Sequence, residues 1–209
     1  MGRLASFIDA GYWHKIMRNH FQSPLVDFCK LSHVLAGDQE LLRTYFYDCL
    51  PFKDNPPTPE QNSFYSKRQS FVTALTHIPR FEVRLGKLVR REVHFVPQTP
   101  PLDGYRLATA EEIESGVSNF ITKYEQKSID LLLGTDLVRL AAKQSISTAV
   151  LIAGDHDFVT PVRAAKDDGI LIRLYYKQGT VSSELLALCD DKIEITQPFV
   201  NSIKKLPDH

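Results

Sequence analysis

Short apolar blocks alternate along the chain with stretches of helical periodicity, and several of the blocks end in an acid. Residues 4–8 form an apolar run that stops at Asp9-Ala10-Gly11, as a buried parallel strand stops in a turn. Tyr12, Trp13, Ile16 and Met17 then recur at helical spacing. Residues 41–47 read as a second strand closing at Asp48, and the loop Asp54-Asn55-Pro56-Pro57-Thr58-Pro59 feeds a helix over 60–76. A third strand covers 81–85. Gly86-Lys87 then reads as a turn that sends 88–96 back as a hairpin partner, before Pro97, Pro100 and Pro101 break the chain.

From Thr109 the spacing of Ile113, Val117 and Phe120 predicts a helix, and a second helical pattern covers 129–142. Residues 149–153 are wholly apolar and end in Gly154-Asp155-His156-Asp157. A helix over 158–168 stopped by Gly169, a strand over 170–176, a short helix over 183–188 and a last strand over 192–195 complete the pattern. Repeated strand–helix units predict an α/β chain with a Rossmann-like parallel sheet flanked by helices on both faces. One domain is expected over 1–200, with a hairpin or loop insertion around 81–108 and a tail at 201–209.

Charge and composition narrow the function. Lys+Arg and Asp+Glu are both 25, so any nucleic acid is held by a local patch and not by a general positive field. Three cysteines, Cys29, Cys49 and Cys189, without Cys-x-x-Cys spacing fit neither a disulfide framework nor a zinc ribbon, and suit a reducing compartment. No apolar run reaches the roughly 20 residues that span a bilayer, so no membrane and a cytoplasmic location are expected.

Ligands of open parallel sheets gather beyond the carboxyl ends of the strands, where strand order reverses. Three apolar strands end there in acid: Asp9, Asp48, and Asp155 with Asp157. Each could be an ordinary helix cap, and Asp48 before Cys49-Leu50-Pro51 suits a turn. Together they would repel one another unless a cation neutralised them, and an all-aspartate set without His or Cys suits Mg²⁺ or Mn²⁺ over zinc. In the 129–142 helix, Asp136 is flanked by Leu132, Leu133 and Leu140; it must either pair with Arg139 one turn on or bind a cation. Asp130 lies about 120° away at the helix start, placed either to cap it or to reach the crevice. Lys127 beside it either holds a substrate phosphate or is solvated.

Three segments carry a resemblance: Phe7-Ile8-Asp9-Ala10-Gly11-Tyr12, then 127–137 (KSIDLLLGTDL), then 150–158 (VLIAGDHDF). In order and spacing they resemble the signature blocks of the NYN domain family, and Ser182-Ser183-Glu184-Leu185 with Cys189-Asp190 is similar to its closing segment. The resemblance implies a PIN-like sheet and a metal-dependent ribonuclease, with Asp9, Asp130, Asp155 and Asp157 as the acidic, catalytic set and Asp136 at a further common family position. His156 departs from the small residue usual between the last two acids, and Gly11-Tyr12 stands where many members have Asn. By analogy with such folds, a homodimer is expected.

For an RNA partner, Arg80, Arg84, Lys87, Arg90 and Arg91, interleaved with Phe81, His94 and Phe95, offer cations and rings for unpaired bases, or else form a solvated basic edge. Tyr12 beside Asp9 is placed to line the cleft, and His156 either contacts phosphate or sits on the surface. Trp13 has the spacing of a core residue. Metal-assisted phosphodiester hydrolysis is the chemistry the resemblance implies, and the absence of a nucleophile elbow, P-loop or dinucleotide fingerprint agrees with it. Two rivals are a catalytically silent RNA-binding module of the same fold and a phosphatase using the Asp155-His156-Asp157 loop as nucleophile. The second needs that loop near the start of the chain, not about fifty residues from the end.

Overall fold

Helices return each strand to the same edge of the sheet, and this makes the sheet parallel. A computed structural model of the chain describes residues 2–98 and 104–205, and the backbone alone of 125–127. The elements are β1 (Leu4–Asp9), α1 (Ala10–Phe21), α2 (Phe28–Ala36), β2 (Leu41–Cys49), α3 (Pro59–Thr76), β3 (Phe81–Pro97), β4 (Tyr105–Leu107), α4 (Ala110–Glu114) and β5 (Asn119–Lys127). There follow α5 (Ile129–Ala142), β6 (Thr148–Ile152), a 3-10 turn (His156–Phe158), α6 (Val159–Asp167), β7 (Leu171–Tyr176), α7 (Ser183–Leu188), β8 (Asp191–Glu194) and α8 (Gln197–Ser202).

Strands β3-β2-β1-β6-β7-β8 lie side by side and parallel. The chain works outward from β1 to β3, then returns to lay β6 against the other side of β1. Strand order therefore reverses between β1 and β6, and the crevice expected at such a point opens at their carboxyl ends.

Both faces of the sheet are covered. On one, Leu4, Ile8, Phe46 and Ile152 pack with Trp13, Ile16, Leu31, Leu35 and Val200, from α1, α2 and α8. On the other, Phe7, Tyr47, Leu151 and Leu174 pack with Leu133, Leu137, Val162 and Leu185, from α5, α6 and α7. All six residues of β1 are buried, which is why its sequence reads as a continuous apolar run and not as an alternating one. At the far end Ile203 is fully buried and Lys204 forms a bridge to Val26.

The region after β2 departs from the sequence pattern. Gly86-Lys87 is not a turn: β3 runs unbroken from Phe81 to Pro97. Its first six residues pair with β2, and from Lys87 to Phe95 it pairs antiparallel with β5. The 120 region is thus strand and not helix. Ile113, Val117 and Phe120 do have helical spacing, but Gly116, at φ 73°, follows the last turn of α4, and the chain leaves it extended. Beyond Gly86, β3 and β5 form an antiparallel arm, joined at its far end by β4 pairing with residues 95–97, and β5 runs back along it to deliver α5. Helices α2 and α8 are further elements of the structure, whereas α5 and α7 run over the predicted residues. Thr99, Pro100 and Pro101 of the expected break, and 206–209 of the expected tail, lie outside the described residues.

Candidate metal centre at the carboxyl rim

Asp9 ends β1 and caps α1 in one stroke: its Oδ1 accepts from the Gly11 amide at 2.8 Å and the Tyr12 amide at 3.3 Å. Capping with one oxygen fixes the carboxylate while its Oδ2 carries no hydrogen bond among the described residues. Asp155 follows Gly154 at the end of β6. It precedes the 3-10 turn without capping it, so its carboxylate stays available. Asp130 stands in the first turn of α5, a helix whose preceding residue, Ser128 at φ 73°, supplies no side-chain cap. Carboxylate oxygens of Asp9, Asp130 and Asp155 all lie within 4.8 Å of one another.

Electrostatics follow from that crowding. Asp9 is 6% exposed; desolvation pushes its pKa up to about 6, and Asp130 and Asp155 add repulsion against the pull of its two backbone hydrogen bonds. Asp130 is raised too, by desolvation first and then by Asp155 and Asp157. None of the three has a protein cation as hydrogen-bond or ion-pair partner among the described residues. Three hard oxygen donors from three separate segments, two of them with raised pKa, fit a divalent cation of the Mg²⁺ or Mn²⁺ kind. Asp157 is outside the trio. It is exposed in the 3-10 turn and borders, with Asp130, an apolar cleft of about 740 Å³ between α5 and α6.

Asp136 is also apart from the trio. Tyr47 donates to its Oδ2 at 3.1 Å, Arg139 donates to its Oδ1 at 3.1 Å, and Arg84 stands 3.5 Å away. The Arg139 pairing, one of the two readings of this buried acid, is therefore realised, and burial first, then the negative charge of Asp136, pushes the Tyr47 hydroxyl pKa up.

The expected substrate contacts are dispersed. Tyr12 is 7% exposed; its hydroxyl bonds Thr180 at 2.8 Å and accepts from the Lys177 amide at 3.0 Å, and thereby fastens the loop after β7. That loop and the Tyr12 ring press so closely on Gly154 that a Cβ there would meet ring carbon at 2.4 Å, which explains the glycine before Asp155. His156 contacts Glu184 at 2.8 Å, and Arg163 reaches the same carboxylate. Arg84 pairs with Glu82 as well as Asp136, Arg90 pairs with Asp54 and Glu92, and Arg91 is exposed on the arm. Lys127 closes β5 opposite Lys87, with its side chain outside the description. Burial raises the Cys49 and Cys189 thiols to about 11, so neither is a ready thiolate nucleophile.

Beside the trio, across Gly11, is a cluster that sequence reasoning missed. Asp48, near the end of β2 and 2% exposed, has both oxygens 2.7 Å from Nη2 of Arg68 on α3, and the same nitrogen is 2.9 Å from Nε2 of His14 on α1. Burial, then the Arg68 charge, lowers the His14 pKa to about 4, so at neutral pH its Nε2 accepts from Arg68. The available signal was the run Phe64, Lys67, Arg68, Phe71, a helical stripe mixing rings and cations.

Comparison with known proteins agrees with this architecture. Over 72 residues the chain is 32% identical to an uncharacterized protein, y4oD, of Sinorhizobium fredii; the match spans 34% of each chain. The crystal structure of a protein of unknown function, VPA0982, from Vibrio parahaemolyticus superposes with a TM-score of 0.53 over 95% of this chain and 96% of that one, at 16% identity, a likeness of fold. The model of the NYN domain matches residues 3–196, from β1, which carries Asp9, to the end of β8, and by that match over nearly its whole length the chain belongs to the NYN domain family of PIN-like nucleases.

Proposed function

We propose that the protein is a metal-dependent ribonuclease that hydrolyses phosphodiester bonds at the crevice between β1 and β6. The observation that carries this reading is the convergence of Asp9, Asp130 and Asp155 within 4.8 Å at the point where strand order reverses, with no cation among the described residues paired to them. In this reading the three would hold Mg²⁺ or Mn²⁺, which supplies charge neutralisation at the scissile phosphate and a more acidic water. Asp9 is the fixed member, because its Oδ1 is tied to two amides of α1. Asp157, exposed beside Asp130, is the carboxylate left to take a proton from the attacking water. Family membership supports RNA as the polymer, and a homodimer is proposed by analogy of fold alone. A cytoplasmic location belongs to the same reading. No helix among the described residues is long and apolar enough to cross a membrane.

The test is cleavage of a mixed pool of labelled single-stranded and structured RNAs with Mg²⁺, Mn²⁺ or EDTA. Cutting that needs metal and disappears in folded Asp9→Asn and Asp155→Asn is the expected result. RNA binding without any cutting would instead mark a silent binding module of the same fold.

A further inference from the structure

The cluster across Gly11 opens into a cleft of about 610 Å³ between α1 and α3, at the foot of the arm. Gly11, His14 and Arg18 line it from α1, one helical turn apart; Phe64, Lys67, Arg68 and Phe71 line it from α3; Leu88 closes it from β3. The cleft borders the acidic trio: Gly11, which lines it, is the residue whose amide holds Asp9.

Its chemistry is the opposite of the trio's. The lining contains one carboxylate, Asp48, and Arg68 neutralises it. Arg18 and Lys67 are then surplus positive charge. Both are exposed; Lys67 has no hydrogen-bond or ion-pair partner among the described residues, and Arg18 donates to Asn19 Oδ1 at 3.4 Å. Arg68 is held over the Phe71 ring by Asp48 and His14, and so ties α3 to β2 and α1 at this cleft. At the mouth is Phe64, a full aromatic ring 65% exposed on the same helical stripe as Lys67. An exposed ring next to surplus cations is well suited to stack on a base whose phosphates those cations hold. A duplex hides its base faces, so the ring selects strands whose bases are unpaired.

We propose that the α1/α3 cleft is a binding groove for a single-stranded polynucleotide, in which Arg18 and Lys67 hold backbone phosphates and Phe64 stacks on an unpaired base. Its role as the approach to the cut rests on the nuclease reading; its capacity to bind does not. The charge pattern orders the strand: phosphates along the cleft are neutralised by side chains, and the next phosphate, past Gly11, meets the acidic trio, where a metal ion would offset its charge.

The experiment is fluorescence anisotropy of the full chain with a labelled oligonucleotide of about 12 nucleotides, in EDTA so that nothing is cut. The probe is offered as single-stranded RNA, single-stranded DNA of the same sequence, and duplex RNA. Arg18→Gln with Lys67→Gln is expected to weaken single-strand binding about tenfold at low salt, and to flatten the slope of log affinity against log salt by about 1.4, two phosphate contacts' worth. Phe64→Ala is expected to cost single strands about fivefold or more and to leave duplex binding unchanged. All three residues are exposed, so these variants fold; Lys143→Gln, at the opposite end of α5, is the control for loss of charge alone. Variants that bind as wild type does, a wild type that binds no single strand, or a duplex bound as tightly as a single strand would each overturn the groove. The RNA and DNA arms decide whether the ribose matters. Added Mg²⁺ separates the two readings: binding lost in the variants with no cutting by wild type keeps the groove and removes the nuclease, whereas metal-dependent cutting with unchanged variant binding does the reverse.

Discussion

Asp9 and Asp48 close neighbouring parallel strands at the same rim, and both are almost wholly buried, at 6% and 2% exposure. Their surroundings differ in one respect. Asp48 has the guanidinium of Arg68 against both oxygens, whereas Asp9 has two amides and two further carboxylates. Burial alone is therefore not the signature of a metal ligand. A buried acid whose charge the protein itself completes holds the structure together, and one left incomplete is available to a cation from solution.

The largest effect expected from breaking that contrast is on chemistry. Asp155→Asn and Asp9→Asn should each lower metal-dependent cleavage by about 100-fold or more, measured in single-turnover assays on folded protein. Arg68→Ala should leave cleavage chemistry at the trio in place but destabilise the fold by on the order of 3 kcal/mol, read from chemical denaturation, because it strands Asp48 as an uncompensated buried charge.

A pH experiment sharpens the comparison further. The Asp9 pKa is raised, from 3.8 to about 6, so the folded state binds more protons than the unfolded one in that window. Its contribution is fully present below 3.8 and is lost as pH rises through about 6, which leaves the metal-free protein on the order of 1–3 kcal/mol less stable at neutral pH. His14 works in the opposite sense: its pKa is lowered from 6.5 to about 4, so the unfolded state binds more protons there, and its contribution is present above 6.5 and lost as pH falls through about 4. Between about pH 4 and 6 the two slopes oppose each other. Asp9→Asn, which can still cap α1, should raise the metal-free Tm at pH 7.5, abolish the stabilisation by Mn²⁺, and expose a steeper loss of Tm on acidification. A variant Tm that is lower at neutral pH, or still raised by Mn²⁺, would contradict the assignment of Asp9 as the uncompensated member.

The smallest effect belongs to the exposed counterpart of the Arg68 pair. Arg90 meets Asp54 at 3.2 Å with side chains 38% and 42% exposed, against 23% and 3% for Arg68 and Asp48. Arg90→Ala should change stability by about 1 kcal/mol or less in the same denaturation assay, since water replaces most of what is lost.

Local pattern and tertiary pairing divide the molecule differently along its length. β1 and β6 were legible because a strand buried on both faces leaves an unbroken apolar run, and α5 because its leucines repeat at helical spacing up to Ala142. Gly86 misled because a glycine followed by an exposed lysine is a good turn signal in isolation. Whether the chain turns there depends on a partner for 87–95, and that partner, β5, lies more than twenty residues further on. Phe120 misled for the same reason: three apolar residues happened to fall at helical spacing on either side of the glycine that ends α4.

The amino-acid sequence by itself determined the order of the parallel-sheet units, the aspartates at the ends of β1 and β6, and the family blocks that contain them, since each depends on residues only a few positions apart. Tertiary structure alone decided which acids meet. It brought Asp130 to Asp9 and Asp155, gave Asp136 to Tyr47, gave Asp48 to Arg68, and set a basic cleft beside an acidic one. Those choices are made by side chains tens of residues apart, whose charges interact only once the sheet has placed them within a few ångströms.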